Sequence, residues 1–232
     1  MCILINNDLI WLSIPKNASL SIESAITNDI IQYEHYTGKL WAPSLSTHYH
    51  FELNKLKNHF GKYDTICVVR DWYDRWLSAF KYLFHIYDTY SDCNLKLNWE
   101  DIDNQFIYDT FTDENMYKLY FGDPSKRLEL TSVFLENPPS RSNDLIKILA
   151  SQRYWTNGTK CTYEFNTSQL HLLEEFISKR YSISFKIPQL NVSNDVVKLG
   201  KSKIDASDTT LKEFIWNKFE KPFNIIKPIT LI

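Results

Sequence analysis

At 232 residues, with 44% hydrophobic and 23% charged side chains, the chain is long enough for one globular domain, 1–232, with a sizeable core. A net charge of -2 provides no overall basic field, which sets aside nucleic acid and anionic membrane surfaces as principal partners. The sequence contains no run of about twenty apolar residues and no charged leader with an apolar core and cleavage site, so neither a membrane span nor a signal peptide is expected.

Apolar periodicity divides the chain into alternating strands and helices. Residues Met1 to Asp8 enter a hairpin at an Asn-Asn-Asp turn, and Leu9 to Ile14 read as a buried strand. After Pro15-Lys16-Asn17-Ala18-Ser19-Leu20-Ser21, a helix is expected from Ile22 to Ile26. A loop with Pro43 leads to Thr47-His48-Tyr49-His50-Phe51 and an amphipathic stretch to Phe60. Thr65 to Val69 form a second β-branched strand, and Asp71 to Phe80 carry helical spacing. From Tyr90 to Ser140 the chain is rich in aromatics and acids. A helix at Asp144 to Ala150, a strand at Thr162 to Phe165, a helix at Leu170 to Ile177 and a closing helix from Ser207 to Phe219 complete the pattern. The fold class is therefore α/β, with a central, mainly parallel sheet flanked by helices. Cys2, Cys67, Cys93 and Cys161 lack zinc spacing and disulfide-scaffold density, so reduced, partly buried thiols are expected.

A strand that turns tightly into a helix leaves the first N–H groups of the helix pointing outward, backed by the positive end of its dipole. The Lys16 loop has that form. Lys16 adds a mobile charge, and Ser19 and Ser21 add hydroxyl donors, which suits a phosphate or a group of similar shape. Arg70 ends the next strand and Ser78 lies two turns into the helix beyond it. A guanidinium and a hydroxyl there make a second phosphate clamp, at the strand end where open α/β sheets bind ligands.

With these two stretches the chain resembles the sulfotransferases that use 3′-phosphoadenosine 5′-phosphosulfate (PAPS). In that family a P-K-x-x-[ST] loop holds the 5′-phosphosulfate and an R-x7-S stretch holds the 3′-phosphate. Lys16 and Ser19 match the first pattern; Arg70 and Ser78 match the second. The variant is most similar to the carbohydrate, 2-O-sulfotransferase-like branch, with Leu20 where many relatives have Thr and Trp72 where many have Pro. The resemblance implies a three-layer, P-loop-like domain with the cofactor motifs within 9–80. It implies contacts from Lys16, Asn17, Ala18, Ser19, Leu20, Ser21, Arg70 and Ser78 to PAPS or to its product 3′-phosphoadenosine 5′-phosphate (PAP). The stretch 90–140 is where acceptor-specific insertions are expected, and Pro188 to Ser193 resembles a late P-x-x-N-x-S segment near the cofactor.

The implied reaction moves a sulfuryl group to a hydroxyl, with a carbohydrate or small molecule as acceptor. Lys16 meets charge growing on the leaving oxygens, and a neutral imidazole takes the hydroxyl proton. His-x-His at 48 and 50 resembles the pair of uronyl 2-O-sulfotransferases, which makes His50 the base and His48 its neighbour. Glu52 and Glu23 are carboxylate alternatives. His35, His59, His85 and His171 sit in helix-like segments as packing or surface residues. No metal is required, because the sulfuryl group carries a single charge and the phosphates already have cationic partners. Arg75 is expected in an ion pair with Asp71 or a nearby acid, and Lys198, Lys201 and Lys203 as a solvated cluster. Carbohydrate sulfotransferases of animals carry a Golgi-anchoring span; without one, a cytoplasmic enzyme of bacterial or viral type is expected. Two other readings stay open: a non-catalytic nucleotide-binding protein of the same fold, and a small-molecule kinase. The kinase would need G-x-x-x-x-G-K-[ST], and the Lys16 loop has no glycine.

Overall fold

The computed structural model of the protein describes residues 2–30, 32–36, 41–42, 62–90, 99–113, 147–156, 161–189 and 201–224. In chain order the regular elements are β1 (Cys2–Ile5), β2 (Leu9–Leu12), α1 (Ser19–Asp29), β3 (Tyr33–Tyr36), β4 (Trp41–Ala42), β5 (Asp64–Val69) and α2 (Trp72–Tyr90). They continue with α3 (Asn104–Thr112), α4 (Gln152–Trp155), β6 (Tyr163–Asn166), α5 (Leu170–Tyr181), α6 (Thr209–Ile215) and α7 (Lys221–Asn224). Two compact units hold them. One comprises the described parts of Met1–Arg75 and Ser151–Leu190, the other those of Trp76–Ala150 and Asn191–Ile225.

The first unit is an α/β structure on a six-stranded sheet in the order β4-β3-β1-β2-β5-β6. β2 and β5 run parallel, as do β5 and β6, while β1–β2, β1–β3 and β3–β4 are antiparallel. The sheet is thus mixed, and the expected mainly parallel arrangement holds only for its β2-β5-β6 part. Connection length gives the reason. A three-residue turn can only reverse the chain, whereas a parallel return needs a crossover such as the one through α1. The turn between β1 and β2 keeps Asn6 and Asn7 at φ 46° and 57°, a region asparagine tolerates, and the Asp8 N–H donates to the Ile5 carbonyl at 3.0 Å.

Period-two alternation buries both faces of the central strands. Ile3, Trp11 and Ile66 are aligned across β1, β2 and β5 and join one apolar cluster with Ile22, Ala25 and Ile26 of α1 and Leu173 and Ile177 of α5. The intervening residues Leu4, Ile10, Leu12 and Cys67 are also buried. Each such aliphatic side chain contributes about 1.5–3 kcal/mol over its exposed state. Helices α1 and α5 therefore cover the Trp11 face and fix where α1 begins.

In the second unit Trp76 stacks on Phe80 at 5.2 Å, and the Phe111 and Phe219 rings lie 6.0 and 5.4 Å from Trp76. Asp103 caps α3 through the Phe106 N–H, and Asp208 caps α6 through the N–H groups of Thr210 and Leu211. Beyond α6, a π-type turn at Trp216–Glu220 leads into α7. Of the stretch 90–140, Trp99–Asp101 form a single 3-10 turn ahead of α3. Two local expectations change. Residues Lys147–Leu149 form one 3-10 turn where a helix from Asp144 was expected, and His35 lies on β3, in register with Ile3, instead of on a helix. Among the described residues no helix is long and apolar enough to cross a membrane.

Candidate functional site

β2 ends at Leu12, and the chain turns through Ser13 to Ala18 before α1 starts at Ser19. The Asn17 N–H donates to the Ile14 carbonyl at 3.3 Å, and the Ile22 N–H closes the first helical bond to Ala18 at 3.1 Å. Lys16 and Ala18 hold positive φ, 67° and 58°, without being glycine. A non-glycine residue in that region costs roughly 1–2 kcal/mol, so the surrounding contacts must fix the turn. Ala18 occupies the N-cap of α1 and supplies no side-chain acceptor, which leaves the first turn of an eleven-residue helix without a side-chain cap. Ser19 is half-buried, Ser21 is buried at the edge of the core, and Leu20 is 43% exposed. The Leu20 side chain has no donor, so its contribution to an anion is limited to its backbone N–H.

β5 is the parallel neighbour of β2, with Leu12 opposite Cys67, so both chains emerge at the same carboxyl edge. Arg70 is the first residue past β5 and is half-buried. Among the described residues no hydrogen bond or ion pair engages its guanidinium; its backbone, in contrast, is held firmly. The Arg70 N–H donates to Gln152 Oε1 at 2.8 Å, and Gln152 Nε2 donates to the Arg70 carbonyl at 2.6 Å. The same Gln152 Oε1 accepts from Asn17 Nδ2 at 2.7 Å, and Asn17 Nδ2 also donates to the Val68 carbonyl at 2.9 Å. One amide on α4 thus joins the Lys16 turn to the end of β5. Asn17 is 1% exposed, and its Oδ1 has no hydrogen-bond partner; as an acceptor it suits a water or hydroxyl and not an anion.

Burial, and then the nearby Arg70 charge, lower the Lys16 pKa from 10.5 to about 8. The two cations therefore feel each other across neighbouring strand ends. A polyanion laid over this edge would counter the Arg70 repulsion and favour the charged form of Lys16.

Lys16, Asn17, Ala18, Ser19, Leu20, Ser21 and Arg70 all fall at this edge or in the adjoining turn. Ser78 is half-buried on α2 and belongs to the second unit. His48, His50, Glu52, His59, Cys93, Lys198 and the segment from Leu190 to Ser193 lie outside the described residues. Glu23 is 8% exposed on α1. Asp71 acts as a helix cap, with Oδ1 accepting from the Tyr73 and Asp74 N–H groups at 3.0 Å each, and Arg75 is fully buried one turn on. His171 is exposed on α5; Lys201 is exposed, and Lys203 forms a solvent-facing pair with Asp101 at 3.2 Å.

Gln152 is the residue that local sequence patterns do not reveal as part of this site, because its partners are 82 and 135 positions away. The proximity of Cys67 and Cys161 is equally hidden. The neighbouring Cys161 thiol is the main reason the Cys67 thiol is pushed up, with burial and the charge of Glu164 adding to it.

No family model, no curated protein and no solved structure matches this chain.

Proposed function

We propose that the protein is a sulfotransferase that transfers a sulfuryl group from PAPS to a hydroxyl, with a carbohydrate hydroxyl as the first acceptor class to test. The observation that carries this reading is the meeting of Lys16 and Arg70 at the carboxyl ends of two adjacent parallel strands, close enough for one charge to depress the other's pKa. The donor set fits a doubly phosphorylated nucleotide: one ammonium, one guanidinium free of ion pairs among the described residues, and an uncapped helix start. In the finer form of this reading the fold is a three-layer, P-loop-like domain.

When bound, the cofactor supplies the activated sulfuryl group. Lys16 holds a proton on Nζ and positive charge beside the 5′ end, and the N–H groups from Ala18 to Ser21 orient that end. Arg70 takes the 3′-phosphate. His50 receives the acceptor hydroxyl's proton, and His48 positions the acceptor.

Calorimetry with PAP against AMP tests the binding part. Heat is expected for PAP, with affinity weakened but measurable in Lys16→Ala and Arg70→Ala; absence of heat for the intact protein overturns the reading. Incubation with labelled PAPS and a panel of glycans and small hydroxyl compounds tests transfer. His50→Ala is expected to slow transfer about 10²–10⁴-fold while PAP binding persists. A protein that binds PAP yet labels no acceptor is a nucleotide-binding protein of the same fold.

A further inference from the structure

Cys67 on β5 stands in register with Glu164 on β6, and in-register neighbours on adjacent strands are about 4.8 Å apart. Alternation along β5 turns Cys67 away from Ile66 and Val68, which belong to the Trp11 cluster, so it faces the other side of the sheet. Cys161, just before β6, reaches the same point from the adjoining segment. Both thiols are free and buried, at 0% and 3% exposure, whereas Glu164 is exposed and gives the place an opening to solvent. The two sulfurs and a Glu164 carboxylate oxygen all lie within 4.8 Å of one another. Glu164 Oε1 also accepts the Cys161 N–H at 3.1 Å, which fixes the carboxylate beside the sulfur pair.

We propose that Cys67, Cys161 and Glu164 form a binding site for a tetrahedral divalent cation of borderline softness, with Zn²⁺ as the expected occupant. With Zn–S bonds of about 2.3 Å, a tetrahedral ion holds two sulfurs roughly 3.8 Å apart, so the three ligands need only a small contraction to close on it. Mg²⁺ and Ca²⁺ are disfavoured, since each wants six or more oxygens and this site offers one carboxylate and two sulfurs. On binding, two S–Zn bonds and one O–Zn bond form, the two thiol protons leave to solvent, and a water completes the fourth position. No electron is transferred. The ion ties β5 to the segment entering β6, three residues ahead of Arg70, and acts there as a brace for the strand end.

The test uses the full chain, reduced with a phosphine, stripped with chelator and dialysed, with Co²⁺ as a spectroscopic probe. One equivalent is expected to produce thiolate-to-cobalt charge-transfer and tetrahedral ligand-field absorption, displaced by Zn²⁺. Cys67→Ser and Cys161→Ser should each abolish the charge-transfer band, and Glu164→Gln should shift the titration to higher Co²⁺. Cys2→Ser and Cys93→Ser should leave the titration unchanged. Absence of the band in the intact protein, or its survival in Cys67→Ser or Cys161→Ser, overturns the proposal. Because a buried serine can unfold the sheet, X-ray absorption of the Zn²⁺-loaded intact protein provides a second reading. A shell with two sulfur scatterers supports the site, and a shell of oxygen and nitrogen alone overturns it.

Discussion

Lys16 sets the pH behaviour expected of the site. Its free pKa of about 8 means that it is mostly charged at neutral pH and loses its proton within the range of ordinary buffers. An anion favours the charged form, so bound Lys16 titrates higher, and affinity falls by up to about tenfold per pH unit above 8. A phosphate monoester gains its second charge near pH 6, so affinity for PAP is expected to rise through about 6 and fall beyond about 8. Calorimetry from pH 5.5 to about 9.5 would show this, and Lys16→Met should remove the alkaline limb while retaining the acid one. Gln152 holds both backbone groups of Arg70 as well as the Asn17 amide. Gln152→Ala leaves those groups without their partner, at about 1–3 kcal/mol in stability, and is expected to weaken PAP binding although Gln152 itself touches no ligand. Chemical denaturation together with calorimetry would separate the two effects. At this scale Lys16 and Arg70 were legible because each follows a strand and precedes a helix within a few residues. Gln152 was not, since an amide offers no local pattern and its role arises only when distant segments meet.

The same sheet is tied at its other end by α5. Arg180 Nε donates to Asp8 Oδ2 at 3.0 Å and Arg180 Nη2 to Asp64 Oδ2 at 2.9 Å, while the Tyr181 hydroxyl donates to Asp8 Oδ1 at 2.5 Å. Asp8 immediately precedes β2 and Asp64 opens β5, so one helix terminus sets the start of both parallel strands. Arg180 is 22% exposed in this network, which screens the pairs only in part. Arg180→Ala is expected to cost about 1–2 kcal/mol in urea denaturation while leaving PAP affinity unchanged, because the cluster lies at the amino edge. Elements whose apolar spacing is sustained were legible: β2, β5, β6, α5 and the closing helix α6. β3 and β4 were not, as Tyr33–Tyr36 and Trp41–Ala42 are too short for a period to emerge. Strand direction was only half legible. Alternating helices and strands suggest parallel pairing and the Asn-Asn-Asp turn marks the antiparallel β1–β2 hairpin, but the antiparallel pairing of β3 with β1 and β4 follows from tertiary registers such as Ile5 opposite Tyr33.

For the molecule as a whole, a net charge of -2 gives an incoming polyanion no long-range attraction, so binding depends on the local pair at the carboxyl edge. Linkage carries that local event to global stability. At a PAP concentration about 100-fold above Kd, the folded state gains about 2.7 kcal/mol, which raises the melting temperature by roughly 5–10 °C in a chain of this size. Differential scanning calorimetry reads that shift, and Arg70→Ala should erase most of it. The turn after β2 adds a kinetic corollary. Lys16 and Ala18 adopt left-handed backbone without the latitude of glycine. A receptacle whose contour is already cast has little left to rearrange when its guest arrives, so capture should proceed in one kinetic phase, paced by how often the two collide.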